Sequence, residues 1–230
     1  MLMTPAEETQ LGIQSFTQMK AEMPISMDPA ANAMLQRVGS RIAAVVSDMP
    51  DVQWEFVLFE SEEPNAFCLP GGKVGVYTGI LPITQNEAGL ATVIGHEVAH
   101  AYARHGGERM SRQLALQLGG SLVGYTFSST DPQVQQAAAV TYGLGGELLG
   151  TLPHSRSQES EADRIGLLYM ARAGYDPEEA IAFWQRFAAY NQQAGGEPLW
   201  FLSTHPLNQS RIDQIKTWLP EARAQQAPAR

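Results

Sequence analysis

The stretch Glu87-Ala-Gly-Leu-Ala-Thr-Val-Ile-Gly-His-Glu-Val-Ala-His-Ala-Tyr-Ala-Arg-His105 decides how the chain is read. Leu90, Ile94, Val98 and Ala101 recur at steps of four and three, which predicts a helix with one apolar face for a core. Thr84-Gln-Asn-Glu87 has the order of a capping box and is the predicted start; Gly106-Gly107 is the predicted stop. On such a helix His96 and His100 are i and i+4, one turn apart on the same side. Two imidazoles so placed reach one Zn²⁺ at about 2.0–2.1 Å, with Glu97 beside them to handle a water proton.

The pattern H-E-x-x-H is only moderately specific by itself. Its setting adds weight, because a buried histidine pair without a metal or partner is costly. A di-iron site also uses E-x-x-H, as in Glu97-Val-Ala-His100, but needs a second such pair on another helix. No other glutamate here has a histidine three residues on.

With 230 residues the chain can bury one sizeable core. The expectation is a single unit over 1–230: N-terminal helices over about 1–50, a sheet and the metal helix over 51–105, and a helical half over 106–230. A net charge of −9 without a Lys/Arg cluster argues against nucleic acid as a partner. Every long apolar run is interrupted by Gln, Gly or Ser, so no transmembrane segment is expected. One cysteine, Cys68, leaves no room for a disulfide framework or a cysteine zinc site. The first residues lack the basic and apolar regions of a signal peptide. Either the protein is cytoplasmic, or a signal peptide or lipid anchor signal preceded residue 1.

Residues 5–23 and 29–47 read as helices, 48–51 as a turn, 52–59 as a strand and 60–64 as a polar loop. Two short strands around Pro70-Gly71-Gly72 come next. Gly75 in the second predicts close approach of another backbone. A plain glycine-rich hairpin accounts for this stretch. The functional alternative is a sheet edge at 65–68 or 73–77, where Asn65, Ala66, Val74, Gly75 and Val76 pair with an extended peptide substrate. Residues 107–128 and 132–151 read as two soft helices, and the tail from Ala222 to Arg230 as frayed.

Ser155-Arg-Ser-Gln-Glu-Ser-Glu-Ala-Asp163 opens a further helix with capping-box spacing at Ser155 and Gln158. Glu159 and Asp163 share a face, so one can ligate a metal while the other supports a ligand imidazole. Glu161 points off that face. Up to here the residues leave open which carboxylate does which.

H-E-V-A-H followed much later by S-R-x-x-E-x-E-A-D resembles the gluzincin metallopeptidases of the CAAX prenyl protease, HtpX and BepA family. Asn65-Ala-Phe-Cys-Leu-Pro-Gly-Gly72 and Thr204-His-Pro-Leu-Asn-Gln-Ser-Arg-Ile212 are similar to two further motifs of that family. The resemblance runs from about Pro5 to Ile215. It departs at Cys68, where alanine is usual, and at His154, where an aromatic is usual.

The resemblance implies an α+β fold: mostly helical and zincin-like, with a small sheet beside the H-E-x-x-H helix. It implies one zinc held by His96, His100 and Glu159, with Glu97 as base and Asp163 as the supporting aspartate. It further implies an endopeptidase acting on unfolded or misassembled polypeptides, periplasmic or outer-membrane-associated in a bacterium. For the anionic intermediate, His205 and Arg211 are the candidate donors. His205 has a second possible job implied by BepA: to occupy the metal's fourth position and silence the site. The rival readings are a chaperone-like module holding chains in the same cleft, and a zinc hydrolase of small molecules.

Overall fold

The computed structural model describes residues 1–47, 49, 52–117, 130–142, 154–194, 200–206 and 209–228. Two helices, α1 (Pro5–Glu22) and α2 (Pro29–Ala43), lead into strand β1 (Glu55–Phe59). Strands β2 (Ala66–Leu69) and β3 (Lys73–Tyr77) form a hairpin, turned by Gly71 and Gly72 at φ 86° and 74°. A 3₁₀ turn (Thr78–Ile80) and the one-turn α3 (Leu81–Thr84) deliver the chain to α4 (Glu87–Tyr102). Then come α5 (His105–Gln117), α6 (Pro132–Tyr142), α7 (Arg156–Arg172), α8 (Glu179–Gln193), α9 (Trp200–Thr204) and α10 (Gln209–Ala224). The α+β architecture, mostly helical with one small sheet, is the one expected.

The sheet order is β1-β3-β2, with β1 parallel and β2 antiparallel to β3. Side chains alternate between its faces. Leu58, Ala66, Val74 and Val76 enter the main core with α2, α4, α7 and α8, while Phe59, Leu69 and Tyr77 join Phe16 and Met110 in a smaller cluster under α1.

β3 is therefore the central strand, hydrogen-bonded along both sides. The expectation that Val74, Gly75 and Val76 form a free edge is corrected: all five residues of β3 are buried. A continuous buried run is what an interior strand looks like. Beyond its ladder partners Val57 and Phe67, the tight approach at Gly75 is made by a ring and not by a further backbone. Gly75 sits opposite Phe67, whose ring would lie 2.2 Å from an added Cβ.

α4 lies between the sheet and α2, α7 and α8. It is buried on all sides from Gly89 to His100, so the single apolar face predicted for it understates its burial. A helix apolar all round belongs in a core. Its start also differs. Thr84 ends α3, with its hydroxyl donating to Leu81 O, Gln85 turns at φ 63°, and Asn86 is the cap, accepting from Gly89 N. Its end is made at Arg104, at φ 57°, while Gly106 and Gly107 fall inside α5. A non-glycine residue pays about 1–2 kcal/mol for that conformation. Arg104 is held there by two hydrogen bonds to the buried Glu8 carboxylate on α1, at 3.0 and 2.8 Å.

The strand predicted over 52–59 begins at Glu55. The predicted helices over 107–128 and 132–151 are seen as α5 and α6, and their remainders lie outside the described residues, as does most of the turn at 48–51. The tail is docked rather than frayed as far as residue 228: Ala222 is buried, and Ala227 N donates to Ala171 O at 3.0 Å. No helix among the described residues is long and apolar enough to cross a membrane.

Candidate metal centre

Three helices and one loop converge on a single point. α4 contributes His96, Glu97 and His100. The Ser155 capping box starts α7 so that Glu159 lies in its first turn and Asp163 one turn further on the same face. His205 follows α9 directly, its backbone N–H donating to Phe201 O at 2.8 Å and its ring lying against that of Phe201. Arg211 lies in the first turn of α10. All of these side chains are buried.

His96 Nε2 is 3.0 Å from His100 Nε2 and 3.2 Å from His205 Nδ1. Glu159 Oε1 is 3.2 Å from His100 Nε2 and 2.9 Å from His205 Nδ1. A tetrahedral zinc with ligands at 2.0–2.1 Å has ligand-to-ligand edges of roughly 3.3 Å. The donors therefore stand close to the corners such an ion requires. Glu97 Oε1 is buried without a hydrogen bond among the described residues, 3.4 Å from His205 Nε2. A buried acceptor left over beside four convergent donors fits a site built to receive an ion and a water.

The carboxylates behind the cluster are clamped by Arg211. Its Nε and Nη2 donate to Asp163 at 2.6 and 2.8 Å, and its Nη1 pairs with Glu159 Oε2 at 2.7 Å. Its plane stacks on the Trp184 ring, 3.9 Å from the centroid. Nη1 also faces the carbonyls of His205 and Pro206 at 3.4 and 3.3 Å. The fork holds the two carboxylates, and its Nη2, expected as a donor to reacting atoms, also lies 3.4 Å from His96 Nε2 at the edge of the donor cluster. Arg211 is not a surface charge, since 6 % of it is exposed.

Burial opposes charge on Glu159, but His205 and Arg211 outweigh it and hold the carboxyl well below its ordinary range. Burial likewise opposes charge on Asp163, and Arg211 with the His96 hydrogen bond wins there too. Glu97 goes the other way: burial raises it, against the pull of His205 and His96. Burial lowers His100 well below the usual imidazole value and lowers His105 and His154 as well, keeping these rings neutral. For His96, burial is outweighed by Asp163 and Glu159, and the pKa is raised. His96 Nδ1 lies 3.0 Å from Asp163 Oδ1.

Of the residues expected at the site, the structure brings together His96, Glu97, His100, Glu159, Asp163, His205 and Arg211. Asn65 is buried in the hairpin, with its carbonyl accepting from Tyr77 N and its side chain capping Ala66 N. Ala66 and Cys68 line the cleft beside Glu97 and His100, with His154 and His205 opposite. Among the described residues β2 pairs on one side only. By antiparallel alternation, the backbone groups of Ala66 and Cys68 face the unpaired side. The cleft itself is a cavity of about 60 Å³. That is far below the 300–1,000 Å³ typical of ligand pockets.

His105 escaped the sequence reading, and His154, noted there as a departure from the family pattern, joins it at the site. His105 lies with its Nδ1 2.8 Å from His100 Nδ1, and His154 stacks its ring 3.9 Å from that of His100. A third histidine five residues after His100 was the available signal for His105.

The pattern of peptidase family M48 matches residues 29–219. The chain is 43% identical over 189 residues to the mitochondrial metalloendopeptidase OMA1 of Schizosaccharomyces pombe, covering 82% of this chain and 53% of that protein. It is 42% identical over 176 residues to the protein of the same name in Saccharomyces cerevisiae, covering 74% and 48%. To the beta-barrel assembly-enhancing protease of Escherichia coli it is 29% identical over 209 residues, covering 90% and 42%. The chain thus spans about half the length of these curated relatives.

Proposed function

The chain belongs to peptidase family M48, and from that premise we propose that it is a zinc endopeptidase domain held in a closed resting state. The observation that carries this reading is the tetrahedral set of His96, His100, Glu159 and His205 donors, with Glu97 alongside. Three imidazoles and a carboxylate suit zinc, whereas magnesium and calcium prefer all-oxygen sites. When bound, zinc supplies Lewis acidity, acidifying a water and polarising a carbonyl.

The protein's own groups do the rest. Asp163 holds the proton on His96 Nδ1, which keeps the Nε2 lone pair for the ion. Arg211 is a positioning residue that fixes Glu159 and Asp163 from behind. Glu97 accepts a proton from the attacking water and returns it to the leaving amine. Burial lifts its pKa towards working pH, where a general base is most effective.

The substrate is an extended polypeptide that adds antiparallel to the free side of β2, using the carbonyl of Ala66 and the backbone of Cys68, since Ala66 N already donates to Asn65 Oδ1. In the resting state His205 stands where a substrate carbonyl or water would, and the small cleft has no room for a polypeptide. Opening requires His205 to withdraw, after which its imidazole is placed to donate to a developing oxyanion. We propose unfolded or misassembled proteins as substrates, supported by relatives named for metalloendopeptidase activity and for beta-barrel assembly. A bacterial envelope location, periplasmic or outer-membrane-associated, is part of the same proposal and leans on the beta-barrel assembly-enhancing relatives. The relatives named mitochondrial share the higher identity.

A chaperone-like holding module would have no use for an unbonded carboxylate at Glu97. The test is metal content and cleavage of unfolded casein by wild type and Glu97→Gln. One zinc per chain in both, with cleavage in the wild type only, supports the reading. Equal cleavage, or no zinc, overturns it.

A further inference from the structure

The two histidines of α4 are backed in different ways. His96 Nδ1 meets the Asp163 carboxylate directly, at 3.0 Å. Among the described residues His100 Nδ1 meets no carboxylate. Its neighbour is another imidazole, His105 Nδ1 at 2.8 Å, and the far nitrogen of that ring, Nε2, is 3.3 Å from Glu161 Oε2. We propose that His105 is a positioning residue for the metal centre: it relays the Glu161 carboxylate to His100 and fixes the His100 tautomer.

The proton positions follow from both ends of the chain of contacts. His100 Nε2 faces the donor cluster, 3.0 Å from His96 Nε2 and 3.2 Å from Glu159 Oε1, so its lone pair is needed there. The His100 proton is then on Nδ1, and among the described residues the acceptor it meets is His105 Nδ1. His105 must accept with that nitrogen and carry its own proton on Nε2, which is the nitrogen facing Glu161. The reversed arrangement fails twice. A proton on His105 Nδ1 pointing at His100 would force the His100 proton onto Nε2, against the ion. It would also leave His105 Nε2 as a lone pair facing a carboxylate. Two neutral imidazoles and one carboxylate satisfy every contact in one order only.

The placement of His105 is built, not incidental. It is five residues past His100, too far to share that helix face. Arg104 at φ 57°, held by Glu8, reverses the chain so that α5 begins at His105 and returns it to the α4 imidazole. His154 covers the His100 ring from its face, and His105 is itself buried. With its ring held on one side by His105 and on its face by His154, His100 is left one orientation. Supporting partners of ligand histidines raise ligand basicity, and their loss lowers metal affinity roughly ten- to a hundredfold. Glu161 is the end of the relay although it lies off the Glu159/Asp163 face of α7. Its side chain is more than half exposed, so it is a weaker anchor than Asp163.

This inference rests on the zinc reading above, and the experiment separates the two. Zinc content of the wild-type chain comes first, and a chain that holds no zinc overturns both. On the zinc-loaded, ¹⁵N-histidine-labelled protein, long-range ¹H–¹⁵N correlation then reads each tautomer without any substitution. His105 should have a bare Nδ1 and a protonated Nε2; a protonated Nδ1, in a chain that binds one zinc, overturns the relay alone. Zinc affinity, measured by chelator competition, gives an independent readout. His105→Leu should weaken zinc binding about tenfold or more. His105→Asn, whose amide oxygen stands near the Nδ1 position, should restore most of that loss. His105→Leu and His105→Asn binding zinc equally, or both as tightly as wild type, would also sink the relay.

Discussion

Gly166 of α7 lies against the α4 backbone at Gly95 and His96, so closely that a Cβ on residue 166 would stand 2.8 Å from both Gly95 C and His96 N. The contact sets the spacing of the two helices that carry His96, His100 and Glu159. Only a residue without a side chain allows it, and the same holds across the gap: a Cβ on Gly95 would meet Gly166 O at 2.9 Å.

Gly166→Ala should therefore act on the metal site as well as on stability. Both neighbours of the new methyl are helix backbone, which cannot rotate away, so the helices must part. Overpacking of this kind costs about 1–3 kcal/mol. We expect a lower melting temperature together with a loss of zinc affinity, because Glu159 moves with α7 and the histidines stay with α4. Thermal melts and chelator competition on one protein sample check it. Lost stability with unchanged zinc affinity would show that the crossing does not set the ligand spacing.

Much of this site could be read from the sequence because it is local. His96, Glu97 and His100 are one helical turn, and Glu159 with Asp163 is another; helix periodicity alone groups each set. Which carboxylate faces the ligands was not local, and only the resemblance to a family separated Glu159 from Asp163. The α4 start was misread because Thr84 and Asn86 both offer capping oxygens. The positive φ at Gln85, which chooses Asn86, leaves no trace in the capping pattern. His105 and Arg211 depend on contacts made across the chain, with Glu8 and Arg104 for one and with Asp163, Glu159 and Trp184 for the other. The strand error was avoidable, since Val74-Gly-Val76 without a polar alternate reads as interior.

Metal removal should destabilise the fold itself. Four donors from α4, α7 and the α9 end are brought within 4.8 Å of one another, and an ion that binds only the folded state stabilises it by mass action. At a free zinc concentration a hundred times the Kd the gain is about 2.7 kcal/mol. A chelator should lower the melting temperature, and added zinc should restore it. An unchanged melting temperature in a chain shown to have lost its zinc would count against the site as a fold-spanning centre.

Arg211→Lys should not be conservative. One ammonium cannot reproduce a fork that holds Asp163 at 2.6 and 2.8 Å and Glu159 at 2.7 Å while stacking on Trp184. Leaving buried carboxylates without their partner typically costs about 3–5 kcal/mol. We expect lower stability and weaker zinc retention, with Arg211→Ala worse than Arg211→Lys. If either variant keeps its zinc and stability and loses only turnover, Arg211 contacts the reacting atoms after all.

His205→Ala discriminates between the two jobs of the imidazole. In the resting geometry Nδ1 is 3.2 Å from His96 Nε2 and 2.9 Å from Glu159 Oε1, while Nε2 is 3.4 Å from Glu97. One ring thus sits against the donor cluster and against the base together. If blocking dominates, its removal should raise cleavage of unfolded casein severalfold and leave zinc bound by three protein donors, with some loss of affinity. If donation to the oxyanion dominates, turnover should fall about a hundredfold or more, as removal of a single oxyanion donor does elsewhere. KM separates the cases further, since unblocking lowers it and loss of a donor leaves it nearly unchanged. His205→Gln keeps a donor but is a poor zinc ligand, so it should be more active than wild type under the blocking role and only partly impaired under the donating one. Wild-type rates and wild-type zinc affinity in both variants would remove His205 from the mechanism.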